Sequence, residues 1–145
     1  MPRHADPRVS TTIEFFEALK PADLARMELI YSADATFKDP FNEVRGVAAI
    51  RHIFEHMFKA LDAPRFVIHE TVVEGDRCFL VWDFVFRFRG NAVEQTVRGG
   101  SHLHFDASDG RITLHRDYWD AAEELYEKLP VLGSLMRWLK RRANS

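Results

Sequence analysis

Three aspartates stand where the surrounding sequence is apolar and strand-like: Asp39 after Ala35-Thr36-Phe37-Lys38, Asp83 within Val81-Trp82-Asp83-Phe84-Val85, and Asp117 within His115-Arg116-Asp117-Tyr118-Trp119. Burial disfavours the charged form of a carboxyl group, and a second carboxylate close by disfavours it further. Either influence moves such a group toward the range in which it serves as a general acid or base near neutrality. Each aspartate also has a plain structural reading. Asp39 before Pro40 can cap a turn, Asp83 can pair with Arg87 on its own strand face, and Asp117 can accept from a backbone amide. Chemistry therefore requires that the three converge in one water-poor hollow.

Other chemistries lack their signatures. The chain has no metal-spaced string of His and Cys, no Gly-rich phosphate loop and no nucleophile elbow, so neither a metal nor another cofactor is expected. His102 and His104, two apart on a strand, have no third ligand at a sensible spacing and read as sheet-surface histidines. Cys78 is the single cysteine and sits in an apolar run; it excludes an intrachain disulfide, suits a reducing compartment and reads as a buried, inert thiol. With 20 Lys and Arg against 22 Asp and Glu, the formal net charge of −2 offers no attraction to a phosphate backbone, and nucleic acid is not an expected partner. The first ten residues contain no apolar stretch fit for a signal peptide, and no apolar run is long enough to cross a bilayer. The expectation is a soluble cytoplasmic protein with no membrane partner.

The elements that must position the aspartates follow from periodicity. Ser10, Thr11 and Thr12 can cap a first helix carrying Ile13, Phe16 and Leu19, and Pro21 ends it and opens a second helix with Leu24, Met27 and Ile30, running to Tyr31. Ala35 to Asp39 reads as a short strand stopped by Pro40. After the turn around Gly46, the apolar residues Val47, Ile50, Phe54, Met57, Phe58 and Leu61 mark a long amphipathic helix. From residue 65 the period becomes two, and turn signals at Gly75-Asp76, Gly90-Asn91 and Asp109-Gly110 separate four long strands of an antiparallel meander. Ala121 to Arg142 contains a helix, a break at Pro130 and a second short helix with Leu132, Leu135, Met136 and Leu139 inward. The fold class is α+β: one domain over residues 9–142, a cone-shaped, curved, mainly antiparallel sheet wrapped on amino-terminal helices, with a carboxyl-terminal helical tail.

Alternation assigns faces within each strand. His115, Asp117 and Trp119 share one face of the last strand, so His115 can join the aspartates as an orienter. On the preceding strand Val97, Ser101, Leu103 and Phe105 share a face, unless Gly99-Gly100 forms a bulge that reverses the parity. On the second long strand Cys78, Leu80, Trp82, Phe84, Phe86 and Phe88 lie on one face, and Phe79, Val81, Asp83 and Val85 on the other. Six same-face apolar residues suggest a homodimer contact through that sheet face, with the final helix folding over it as the equal alternative.

The order helix, helix, short strand, long helix, four long strands resembles the nuclear transport factor 2-like superfamily, which includes SnoaL-like polyketide cyclases, ketosteroid isomerases and limonene epoxide hydrolases. The resemblance covers almost the whole chain and is carried by Phe37-Lys38-Asp39-Pro40-Phe41, Arg45-Gly46-Val47-Ala48-Ala49-Ile50 and Gly110-Arg111-Ile112-Thr113 running into His115-Arg116-Asp117-Tyr118-Trp119-Asp120. By resemblance to ketosteroid isomerase, Asp39 of Asp39-Pro40 inherits the base role. The oxyanion donors of that enzyme match Phe15 or Phe16, which cannot donate, and Ser101, which alone would stabilise an enolate poorly.

By resemblance to limonene epoxide hydrolase, Arg116-Asp117-Tyr118-Trp119-Asp120 places an acid-and-base pair on Asp83 and Asp117. Val81 then stands where that enzyme has a bridging arginine, and Phe37 and Asp39 stand where it has the tyrosine and asparagine that hold the water. Without the arginine, and with Asp39 near, one carboxylate is expected to stay protonated at neutral pH. The resemblance implies a cofactor-independent isomerase, cyclase or epoxide hydrolase type of protein acting on a small apolar molecule. Asp39, Asp83, Asp117 and His115 would carry the chemistry, and Phe16, Phe37, Val81, Ser101, Leu103 and Trp119 would form the wall. A non-catalytic ligand-binding or dimerisation module of the same fold is the alternative.

Overall fold

The computed structural model describes residues 4–124, 138–139 and 141–143. Its elements run α1 (Pro7–Glu17), a 3-10 helix (Pro21–Leu29), β1 (Tyr31–Lys38), β2 (Glu43–Arg45), α2 (Val47–Ala60), β3 (Leu61–Glu74), β4 (Arg77–Phe88), β5 (Glu94–Phe105), β6 (Ile112–Tyr118) and α3 (Ala121–Glu124). Six strands form one curved, open sheet in the order β2-β1-β6-β5-β4-β3, antiparallel throughout except between β1 and β6. The expected meander is β3 to β6, with its turns at the three glycine signals.

Local chemistry explains where the boundaries differ from expectation. Helix α1 begins at Pro7, not after Ser10 to Thr12, because the Asp6 side chain accepts from the Arg8 amide and proline at the first helical position has no amide to leave unsatisfied. Ser10 and Thr12 instead lie buried within the helix. Tyr31 opens β1 and does not end the second helix. The three-residue β2, too short for periodicity to reveal, pairs with Thr36 to Lys38 and turns the chain into α2.

Cys78, Leu80, Trp82 and Phe86 are buried, and rings from α1, α2 and β3 reach them through Phe16, Phe54 and Phe66. The six-residue apolar face of β4 is therefore the inner face of the sheet, packed toward the helices, and not a dimer contact: Trp82 is only 5% exposed. Pairing of β4 with β5 runs without a shift through Trp82↔Gly99 and Val81↔Gly100, so the two glycines form no bulge and the parity of β5 holds. Their role is clearance, since a β-carbon on Gly99 would stand 2.6 Å from the Trp82 ring.

Helix α3 is tied to the sheet by the Arg98 guanidinium, 2.7 Å from the Glu124 carboxylate. The expected break at Pro130 and the stripe Leu132, Leu135 and Met136 lie outside the described residues. Leu139, expected inward, is exposed beside Trp138, whose ring takes the Arg142 guanidinium at 5.7 Å. Among the described residues no helix is long and apolar enough to cross a membrane.

Candidate functional site

A chain of side-chain hydrogen bonds crosses the inner face from β1 to β4. The Tyr31 hydroxyl lies 2.6 Å from His115 Nδ1, and His115 Nε2 lies 2.7 Å from Asp117 Oδ1. Ser101 Oγ donates to the same oxygen at 2.5 Å and itself accepts from Trp82 Nε1–H at 2.9 Å. Register makes this possible, because Ser101↔Asp117 and Leu103↔His115 are directly opposed pairs of β5 and β6, while Phe37 of β1 pairs with His115.

Proton positions follow from the partners. Burial, followed by the charge of Asp117, holds the Tyr31 phenol well above its ordinary range, so the hydroxyl keeps its proton and donates it to Nδ1. Nε2 is the nitrogen that faces an acceptor carboxylate, so it carries the hydrogen and donates it to Asp117. The imidazole is clamped by Tyr31 stacked at 5.9 Å and by the edges of Phe37 and Phe16 at 4.7 and 5.7 Å. Asp117 thus has one oxygen held by two donors, whereas among the described residues its Oδ2 makes no hydrogen bond.

Asp117 borders two apolar hollows of the inner face and a third, polar depression. The inner one, about 20 Å³, has room for a single water and is lined by Phe16, Leu80, Trp82, Ser101, Leu103 and His115 among others. The larger one, about 270 Å³, lies between α2 and the strands and is walled by Phe37, Phe54, Phe66, Trp82, Phe84, Phe86, Phe88 and Trp119, with Ile53, Met57, Leu61 and Val97. Its polar side chains are the carboxylates of Asp39 and Asp117 and the two indole nitrogens.

The structure brings together most of the residues singled out above. Asp117 and His115 meet, Ser101, Leu103 and Phe16 line the inner hollow, and Phe37, Asp39 and Trp119 line the larger one. Asp39 is also the expected turn cap, its Oδ1 accepting from the amides of Phe41 and Asn42 at 2.8 and 2.7 Å. Asp83 and Val81 do not join. Alternation puts them on the outer face, where Asp83 pairs with His69 at 2.9 Å and not with Arg87. The Asp83–Asp117 pair, expected to share a proton, consequently does not form. Ser101 is no free oxyanion donor, since its only hydrogen goes to Asp117.

Two contributors escaped the sequence reading. Tyr31 was placed at a helix end, although an interior phenol needs a hydrogen-bond partner and the nearby buried polar ring of His115 is the natural one. Trp82, Phe84, Phe86 and Phe88 are expected from the sequence either at a dimer contact or under the final helix; their shared face is legible in the alternation and its inward direction is not. Cys78 is buried and its thiol is pushed up to about 11, first by burial and then by Asp6, which suits an unreactive core thiol. On the outer face, burial lowers the affinity of His104 for a proton, helped by His102 and Arg77. Among the described residues no group of three His, Cys, Asp or Glu could hold a metal.

An α+β sheet wrapped on helices around one apolar hollow defines the nuclear transport factor 2-like fold class. The model of the SnoaL-like domain matches residues 12–115, and the chain belongs to that family. No curated protein matches the sequence. Among solved structures, a ketosteroid isomerase-like hypothetical protein from Catenulispora acidiphila, in complex with trimethylamine, is 17% identical with a TM-score of 0.70, covering 84% of this chain and 92% of its own. A SnoaL-like polyketide cyclase, so named provisionally, from Shewanella putrefaciens has the same identity and TM-score, covering 84% and 98%. An epoxide hydrolase of the limonene type from M. tuberculosis is 18% identical with a TM-score of 0.65, covering 81% and 83%. At these identities the likeness is one of fold.

Proposed function

We propose that this chain binds a small, mostly apolar molecule in the larger hollow and moves a proton on it, with Asp117 as the acid and base. The observation that carries this reading is the asymmetry of that carboxylate. Oδ1 is anchored by Ser101 and His115, Oδ2 makes no hydrogen bond among the described residues, and Asp117 borders the aromatic cavity. A base held by one oxygen and bare at the other is oriented and poorly solvated, which favours proton abstraction from a bound substrate. His115 and Tyr31 position it without touching substrate.

The reaction class best supported is isomerisation or cyclisation, in which Oδ2 takes a proton from one substrate atom and the resulting acid returns it to another. Epoxide hydration by a carboxylate pair loses support, because Asp83 lies on the outer face. Asp39 is the alternative base from the rim. The trimethylamine complex of the Catenulispora relative agrees with use of this fold for small ligands.

The test is turnover of a panel of enones and lactones in deuterated water, with deuterium incorporation read by mass spectrometry. Asp117→Asn should keep the fold and lower turnover by about 10²- to 10⁴-fold. Equal incorporation by both proteins would exclude Asp117.

A second reading, a ligand carrier of the same fold, is favoured by the scarcity of donors among the described residues of the wall. Trp82 Nε1–H is committed to Ser101, leaving Trp119 as the wall's other side-chain donor for a developing oxyanion. Retention of a ligand through purification with no turnover of that compound would favour this reading. Self-association through the sheet belongs to either reading, moved to the outer face carrying Val67, Val72 and Tyr118; size-exclusion chromatography of Tyr118→Glu tests that placement.

A further inference from the structure

The larger hollow combines two features that a neutral apolar ligand would not exploit. Eight of its wall residues are aromatic, and its only ionisable side chains among the described residues are the acids Asp39 and Asp117. Among the described residues no lysine, arginine or histidine stands in that wall. Among the described residues, Lys38 and Arg116 line a separate depression that Asp39 and Asp117 also border. Neither is engaged with those acids, since Lys38 pairs with Glu43 and the Arg116 guanidinium lies over the Tyr118 ring at 4.7 Å.

Aromatic faces carry the negative end of the ring quadrupole and attract cations, more strongly when water is excluded. Phe66, Phe84 and Phe86 form one stack along β3 and β4, with centroids 4.8 and 5.1 Å apart, an aromatic wall against which carbon groups can pack. A bare carboxylate oxygen next to such a wall is best met by a charge-assisted hydrogen bond from a cationic N–H. A neutral ligand offers Oδ2 a weaker partner than a cationic N–H does, so among ligands of similar apolar shape the cation is favoured.

We infer that the ligand of this cavity is a small organic ammonium ion with apolar substituents, its N–H directed to Asp117 Oδ2 and its carbon groups against the Phe66, Phe84 and Phe86 rings. This deepens the small-molecule reading above and rests on the cavity being a ligand site. It does not depend on turnover.

Calorimetric titration of the purified chain with three compounds of similar shape and different charge tests it: N,N-dimethylcyclohexylammonium, cyclohexyl methyl ketone and cyclohexanecarboxylate. The ammonium ion should bind about tenfold or more tighter than the ketone, and the carboxylate weakest of the three. Asp117→Asn should abolish the advantage of the ammonium ion and leave ketone affinity nearly unchanged. Phe84→Leu, which retains the charge and alters one ring, should weaken the ammonium ion more than the ketone. Ketone binding equal to or tighter than ammonium binding overturns the inference and spares the proton-transfer reading. Binding of none of the three overturns both.

Discussion

Tyr31 and His115, 84 positions apart in sequence, are joined by a hydrogen bond of 2.6 Å between the phenol and Nδ1, with their rings stacked. Through that bond a fully buried residue of β1 determines which imidazole nitrogen faces the Asp117 carboxylate. The hydroxyl is thus a tautomer selector for the site as well as a core contact.

Tyr31→Phe keeps the ring stack and removes the donor. His115 Nδ1 would then be a buried acceptor without a partner, which costs about 1–3 kcal/mol. Urea unfolding should register that loss. Unchanged stability would mean that the bond contributes nothing net.

The same burial makes stability fall in alkali. In the unfolded chain Tyr31 ionises around its ordinary value of 10, whereas the folded site holds the phenol well above it. The unfolded state therefore releases a proton that the folded state keeps, so this contribution is complete below pH 10 and is lost as pH rises beyond it. Cys78 acts in the same direction over its own interval, from an ordinary 9 to about 11. Urea midpoints should decline from about pH 9 and more steeply past 10. In Tyr31→Phe only the Cys78 part should persist, and parallel declines in the two proteins would contradict the assignment.

A charge on the inner face of β4 makes the third test. Were Phe84 at a subunit interface, Phe84→Asp would give a folded monomer. In the structure Phe84 lines the cavity between Phe66 and Phe86, so the substitution removes ring packing and buries a carboxylate among rings, at a cost of about 3 kcal/mol. The expected result is a lowered thermal midpoint and lost ligand binding. A fully stable protein of altered size in solution would return this face to the interface.

Much of this site was readable from strand period alone. His115, Asp117 and Trp119 share a face because side chains alternate, and the same rule aligned Val97, Ser101 and Leu103 opposite them. Alternation does not say which face is inward. On β4 both faces carry apolar residues, and the inward one is the face with six of them from Cys78 to Phe88, while Asp83 stands on the other. Tyr31 was hidden by a different cause: Leu24, Met27 and Ile30 continue a helical stripe up to it, and the parallel pairing of β1 with β6 is a long-range contact that no local pattern reports.

Gly99 and Gly100 separate the two faces experimentally. A β-carbon on Gly99 would lie 2.6 Å from the Trp82 ring and 2.9 Å from the Tyr118 carbonyl oxygen, whereas one on Gly100 would lie 2.5 Å from the Phe79 ring on the outer face. Both alanine variants should lose about 1–3 kcal/mol, because each forces a packed ring to move. They should differ in function. In Gly99→Ala, Trp82 can yield only by tilting toward the cavity and straining its bond to Ser101, which loosens one of the two anchors of Asp117. Ligand affinity and tryptophan fluorescence should both change in that variant. Gly100→Ala disturbs Phe79 and should leave the cavity intact, so equal loss of ligand binding in the two variants would show that Trp82 does not form the wall.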